Sequence, residues 1–338
     1  MHPENVRTFR IAIVGAASLR GKDLTQLLEE RSFPASDIRL LDDEVVAGTL
    51  AEAAGEATFI QLVADESFEG VEFAFFAGRP EFTLRHWPQA RRAGAAVVDL
   101  SGALVDLPEA LPWIPALDSL LPPRAAPRDT QLYFSPPAAT LVACTLAAAL
   151  APLPVASLSI VFLQPVSERG QSGIEELESQ TVNLLSFQPI SQTVFDAQVA
   201  FNLLERCGAE SREDLGCVRG AIRRGVARYL AGRAPLPAVQ LIQAPVFYSY
   251  GFSAYAVLRE PCDPAALERC LAAAGLQIEA SGDAAPSNVS VAGEKRISLA
   301  RVEPDPNTPS GFWVWGAADN VRLTADNALR IAEKLIAS

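Results

Sequence analysis

Imidazole is almost missing from this chain. Of its 338 residues only His2 and His86 are histidine, so nothing beyond position 86 can serve as an imidazole acid or base. Any mechanism that needs a histidine in the second half is excluded by counting. Positive charge is also short: Lys plus Arg number 28 against 40 for Asp plus Glu, a net charge of −12. Such a chain repels nucleic acid and anionic membrane surfaces unless a local basic patch intervenes, so neither is expected as a partner. Residues 130–167 carry no charge, but Pro152 and Pro154 divide them. Each piece is too short for the roughly 20 residues of a membrane helix and reads as a buried helix, a turn and a buried strand. The five cysteines show no C-x-x-C spacing and their number is odd, which fits reduced thiols better than a disulfide framework. No His/Cys/Asp/Glu cluster has metal-ligand spacing, and no metal is expected. Glu4, Arg7 and Arg10 open the chain without an apolar run, so no signal peptide is read and a cytoplasmic location is expected.

What is present suits a globular chain of about two domains, with 49% hydrophobic and 20% charged residues to build and cover a core. Arg10-Ile-Ala-Ile-Val-Gly15 is a β-branched run ending in glycine, and Leu19 to Glu30 has helical periodicity. Ile38 to Leu41, Val71 to Phe76 and Ala95 to Leu100 read as further buried strands, with a helix from Phe82 to Ala93. Alternating helices and apolar strands predict a doubly wound parallel sheet. Beyond Pro136-Pro137 the pattern becomes α+β. Helices are expected at Ala138–Leu150, Gly173–Ser186, Glu213–Leu230 and Pro264–Ala274, and strands at Ser157–Leu163, Val239–Val246, Ser253–Leu258, Ile297–Val302 and Gly311–Gly316. A last helix, Thr324–Ile336, is placed to return to the first domain.

Gly15-Ala-Ala-Ser18-Leu-Arg-Gly21 sits where a dinucleotide fingerprint belongs, after a strand and at the start of a helix. Gly15 permits the tight turn, Gly21 close helix packing, and the helix N-terminus offers N–H groups to a pyrophosphate. Ser18, however, occupies the middle position, where a Cβ and a hydroxyl crowd an approaching phosphate. A nucleotide cradle and a turn that merely keeps the fold both remain open. Asp42, Asp43 and Glu44 follow the second strand. A carboxylate there can accept from a ribose 2′-hydroxyl, and three repel a 2′-phosphate, so among NAD and NADP these acids favour NAD. They also read as a solvated acidic loop.

Taken together, Arg10-Ile-Ala-Ile-Val-Gly-Ala16, Val98-Asp-Leu-Ser-Gly-Ala103, Gly170-Gln-Ser-Gly-Ile-Glu-Glu-Leu177, Ala244-Pro-Val-Phe-Tyr248 and Asp319-Asn-Val-Arg322 resemble the aspartate-semialdehyde dehydrogenase family along almost the whole chain. Within that family the chain resembles the Usg-type paralogue. The resemblance implies an α/β fold with a Rossmann-like NAD(P)-binding domain over 1–135, to which 320–338 returns, and an α+β dimerisation domain over 136–319. It also implies a homodimer and NADP(H)-linked reductive dephosphorylation of aspartyl phosphate through a thioester.

That chemistry needs a thiolate, an imidazole and arginines for two anionic groups. The family's Asn-Pro-Asn-Cys-Ser/Thr motif reads Pro136-Pro137-Ala138-Ala139-Thr140 here, with Ala139 for the cysteine. In the family's Arg-Val-Pro-Val-x-x-Gly-His run, Gln243 stands for the arginine, Ser249 for the glycine and Tyr250 for the histidine. Val105 stands for the phosphate-binding arginine. The small residues before Gly170, which line the family's cofactor face, become Glu168 and Arg169, putting the nicotinamide side most in doubt. An acid–lysine pair of the family falls near Glu213 to Arg223. Cys144, five residues beyond Ala139, faces elsewhere on the same helix and reads as a core thiol. Tyr250 has too high an ordinary pKa to be a good base. The expectation is therefore a family member inactive in the family reaction that works as a dimeric binding or regulatory protein. An enzyme of altered substrate that still binds NAD(P), and a mixed dimer with an active paralogue, are the alternatives.

Overall fold

The computed structural model describes residues 7–53, 55–123, 130–280, 282 and 284–337. His2 and Glu4 lie outside them. The chain divides into two compact units: the described residues of 1–115, 124–137 and 324–338, and those of 116–123 and 138–323.

The first unit is built on β1 (Phe9–Val14), α1 (Leu19–Glu30), β2 (Ala35–Asp42), β3 (Phe73–Phe76), α2 (Pro80–Arg92), β4 (Ala96–Asp99) and β5 (Leu132–Phe134). Its seven-stranded sheet runs Gln61–Leu62, β2, β1, β3, β4, β5, Leu111–Pro112, with every neighbouring pair parallel. Parallel strands joined by crossovers are covered on both faces, which is why they are apolar at almost every position. Ile11, Ile13, Phe73 and Phe75 enter one core, while Ala12, Val14, Ala74 and Phe76 enter the other. Strand order reverses at β1, making the C-terminal end of β1 the switch point of the sheet. A short antiparallel ribbon, Leu50–Ala53 with Glu56–Phe59, had no clear period-2 signal and is an addition of the structure.

In the second unit, α3 (Ala138–Leu150) is buried along all 13 residues, as an all-round apolar helix must be. It is followed by β6 (Val155–Gln164), α4 (Gly170–Leu185), α5 (Leu215–Leu230), β7 (Ala238–Gln243), β8 (Tyr250–Leu258), α6 (Pro264–Ala273) and β9 (Gly311–Ala318). The mixed sheet runs β7, β6, β8, β9, Ser298–Leu299, Gln277–Ile278. The strand expected over Ile297–Val302 is interrupted because Glu268 Oε1 takes the Val302 N–H, so β9 pairs separately with Ser298–Leu299 and Glu303–Pro304. β7 stops at Gln243, shortly before Pro245, which has no N–H to continue a ladder. On α5, Arg223 Nε and Nη2 both donate to Val239 O of this edge strand, at 3.1 and 2.6 Å.

α7 (Asn320–Ala337) begins four residues before the helix expected at Thr324, because Asp319 Oδ1 caps it by accepting from the Val321 and Arg322 N–H groups at 2.8 Å. Its residues Ala325, Ala328, Leu329, Ile331 and Ala332 join Leu24, Leu27 and Leu28 of α1 in the core of the first unit. The chain is thus an α/β fold with a Rossmann-like first unit, a mixed-sheet second unit and a last helix that returns to the first.

Candidate functional site

In the second unit, two of the positions expected to have lost chemistry, Gln243 and Tyr250, meet at the buried side-chain amide of Gln164. Gln243, fully buried at the end of β7, donates from Nε2 to Gln164 O at 2.9 Å and to Ala244 O at 3.2 Å. Its Oε1 accepts from Gln164 Nε2 at 3.1 Å. Both amide hydrogens and the carbonyl are thus committed to the protein itself. Tyr250, at the start of β8, donates from its hydroxyl to Gln164 Oε1 at 3.4 Å and packs edge-on to Phe162. Gln164, which links both positions, was not singled out from the sequence; as the last residue of an apolar strand it carries no motif of its own.

Ser249 precedes Tyr250 with φ of 67°, a left-handed conformation that suits the glycine of the family motif better than serine. Its N–H donates to Asn320 Oδ1 at 3.0 Å, and its buried hydroxyl has no partner among the described residues. Asn320 is fully buried at the start of α7 and was also missed. Its Oδ1 accepts from Ser167 Oγ at 3.2 Å, and its Nδ2 donates to Glu168 Oε1 at 3.0 Å. The adjacent Arg169 has a side chain only 4% exposed, paired with the Glu213 carboxylate and donating to Glu213 O. Burial lowers the Arg169 pKa, and the neighbouring Cys207, Glu168 and Tyr250 oppose this. Two large charged side chains therefore fill a loop that the family keeps small, and each is tied to its own chain. Gly170, with φ of 67°, follows them as the first residue of α4.

Ala139 is fully buried near the start of α3 and offers only a methyl group. Cys144 on the same helix is also fully buried, and desolvation pushes its thiol far up. Cys217, by contrast, is exposed at the start of α5. With a disulfide-forming aromatic thiol reagent, Cys217 is expected to react first and Cys144 only on unfolding. Labelling of native Cys144 in seconds, read by peptide mapping, would remove its assignment as a core thiol. His86 lies on α2, where Nδ1 meets Gln89 Oε1 at 2.9 Å and its ring packs on Phe82.

Gly15, Ser18, Gly21 and Asp42 come together in the first unit. Gly15 has φ of +81°, and a Cβ there would lie 2.3 Å from the Gly78 backbone, so only glycine fits this crossing. The Ser18 hydroxyl turns back into the protein: it accepts from Gly21 N–H at 3.0 Å as the cap of α1 and donates to Ala77 O at 2.9 Å. Capping α1, rather than projecting outward, is thus what the hydroxyl does. Asp42 is buried, with Oδ2 accepting from Ala17 N–H and Oδ1 from Asp43 N–H, both at 2.9 Å. It braces the glycine turn. Val105 lies half-buried in the loop after β4. That loop is shaped by buried Asp99, which accepts from Ser101 N–H, Ser101 Oγ and Leu104 N–H at 2.8, 2.6 and 2.9 Å. Burial raises the Asp99 pKa against these bonds.

Among the described residues no group of three or more His, Cys, Asp or Glu could hold a metal, and no helix is long and apolar enough to cross a membrane.

Residues 10–117 match the model of the semialdehyde dehydrogenase NAD binding domain, and residues 146–323 that of the semialdehyde dehydrogenase dimerisation domain. A USG-1 protein homolog of Pseudomonas aeruginosa is 34% identical over 332 residues, covering 96% of this chain and 97% of the relative. Aspartate-semialdehyde dehydrogenase 2 of Vibrio cholerae is 28% identical over 342 residues, 97% and 98% of the two chains. Among solved structures, a probable aspartate-semialdehyde dehydrogenase from Pseudomonas aeruginosa superposes with a TM-score of 0.85 at 33% identity, covering 98% of this chain and 99% of that one. The Vibrio cholerae aspartate semialdehyde dehydrogenase II complexed with ASA gives 0.87 at 25% identity, with the same coverage.

Proposed function

The chain belongs to the semialdehyde dehydrogenase family, and from that premise we propose that it does not catalyse the family reaction but acts as a homodimeric binding protein whose first domain still takes a dinucleotide. The observation that carries the inactive reading is the closed amide of Gln243. An arginine at this position would direct charged N–H donors at an anionic substrate, whereas Gln243 directs both of its hydrogens at Gln164 O and Ala244 O. The other losses act in the same direction. Ala139 cannot form a thioester, Tyr250 offers no imidazole, and Val105 brings no cation. The Arg169–Glu213 pair and the Glu168–Asn320 bond occupy the adjoining loop with the protein's own charges.

The match to a dimerisation domain over 146–323 supports the homodimer. The glycine crossing at Gly15 and Gly78 and the inward-turned Ser18 hydroxyl support a retained nucleotide cradle. A dinucleotide held there would supply hydride chemistry, for which Ala139 offers no thiol and Tyr250 no imidazole at the positions where the family chemistry needs them. The purified protein is expected to show no phosphate-dependent oxidation of aspartate semialdehyde with NADP or NAD, and to sediment as a dimer. Turnover by the native protein would overturn the inactive reading, and a monomer at micromolar concentration would overturn the homodimer.

A further inference from the structure

A cavity of about 530 Å³ lies in the first unit between α1 and the antiparallel ribbon of Leu50–Ala53 and Glu56–Phe59. One wall is a single face of α1. Lys22, Thr25, Gln26 and Glu29 are spaced i, i+3, i+4 and i+7, so their side chains stack along one side of the helix. The facing wall is the ribbon strand with Leu50 and Glu52, and the floor is Leu40 of β2 with Ile60, both buried. The ribbon runs alongside α1, from the level of Asp42, which holds Ala17 N–H, to its turn, where Gly55 N–H donates to Glu29 Oε1 at 3.0 Å. Glu52 precedes Gly55 by three residues, so two carboxylates serve the Glu29 end. Lys22 stands two turns away, about 10 Å along the helix axis. Ser18 and Gln26 are its neighbours four residues before and after, so α1 supplies no counter-charge. Among the described residues, the side chains of Lys22 and Glu52 take part in no ion pair. The nucleotide cleft is a different place: Ala16 and Ala17 reach the end of this cavity, but Asp42, Asp43 and Gly78 do not line it.

We propose that this cavity binds a small zwitterion whose carboxylate and ammonium are separated by a short methylene chain, that is, an ω-amino acid. Its size is that of a small-molecule site, with an apolar floor and a few charged groups at the edges. The ligand carboxylate pairs with the Lys22 ammonium. The ligand ammonium has three donors, which suit Glu52 together with the Glu29 oxygen that Gly55 does not use. The methylenes lie over Leu40 and Ile60 and cover Leu50, which is 66% exposed at the rim. The stems of Lys22 and Glu29 can lean towards each other along this apolar surface, which brings the two ends within reach of one extended chain. Charge makes the site selective. A ligand with only a carboxylate leaves Glu29 and Glu52 without a cation, and one with only an ammonium leaves Lys22 without an anion. Loss of nucleotide binding at the glycine turn would leave these groups in place.

The test is calorimetric titration of the whole protein with 6-aminohexanoate, hexanoate and hexylamine, using native protein, Lys22→Gln and Glu52→Gln. Native protein is expected to bind 6-aminohexanoate about 5-fold or more tighter than either singly charged analogue. Lys22→Gln should weaken 6-aminohexanoate by about 5-fold or more and leave hexylamine no weaker. Glu52→Gln should weaken it to a similar degree and leave hexanoate no weaker. Both side chains are exposed and outside any ion pair, so the melting temperatures of the unliganded variants should stay within about 2 °C of native protein. Absence of binding up to about 10 mM, equal affinity for hexanoate, or an affinity for 6-aminohexanoate that ignores either substitution would overturn the proposal.

Discussion

Ala139→Cys, made alone, is expected to leave the protein silent towards aspartate semialdehyde. A thiol restored at the start of α3 would still lack an imidazole, because Tyr250 stands at that position and no histidine occurs beyond His86. General acid–base catalysis is itself worth about 10²–10⁴ in rate. The amide of Gln243 remains closed on Gln164, so the substrate also lacks the charged donors that would orient it. The double variant Ala139→Cys/Tyr250→His should therefore be the first to show measurable turnover. Adding Gln243→Arg should lower KM more than it raises kcat, because it supplies ground-state binding of an anion. Continuous measurement of NADPH formation with phosphate present distinguishes these cases. If Ala139→Cys alone reaches more than about 1% of the rate of a cysteine-bearing relative, the site has lost only its nucleophile and the wider dismantling argued from Gln243, Glu168 and Arg169 is wrong.

The second large effect is expected from Gly15→Ala. The new methyl group would meet backbone atoms of Gly78 at 2.3 Å while the main chain is held at φ of +81°, so neither a rotamer change nor a small shift of a side chain can relieve it. A destabilisation on the order of 3 kcal/mol or more is expected, together with loss of nucleotide binding, as β1 and β3 are forced apart at the mouth of the cradle. Gly94→Ala is the matched control. Its φ is +91° but nothing lies within 4 Å of the added atom, so only conformational strain of about 1 kcal/mol should appear. Denaturant midpoints of the two variants, compared at equal m-values, separate collision from strain; equal losses would show that the Gly15–Gly78 crossing is not what fixes the turn.

How much of this was legible in the sequence depended on range. α1 and α3 were readable to the residue because each carries its own signal: helical periodicity after a glycine turn in one, an unbroken apolar run after two prolines in the other. The parallel, doubly wound form of the first sheet followed from the alternation of helices and apolar strands, and the expected loss of cysteine, histidine and arginine was read from motifs that align locally. What was not legible was what replaced them. Gln164 and Gln243 lie 79 residues apart, and Asn320 meets Ser167, Glu168 and Ser249 from the far end of the second unit. No periodicity marks such pairs: strand register sets Gln164 beside Gln243, and the start of α7 brings Asn320 to Ser167, Glu168 and Ser249. Ser18 shows the same limit at short range. Its identity predicted crowding, but its rotamer, set by Gly21 N–H and Ala77 O, decides where the hydroxyl goes.

The two bonds from Arg223 to Val239 O have a consequence for how the protein can assemble. β7 is an outer strand of its sheet, and an outward-facing carbonyl there is what an extended peptide or another copy's strand would recruit to lengthen the sheet. With a guanidinium on that carbonyl, joining at this border would first require a part-buried cation–carbonyl contact to be broken. Strand addition at this carbonyl would thus have to displace Arg223, which raises the barrier to open-ended growth on this side.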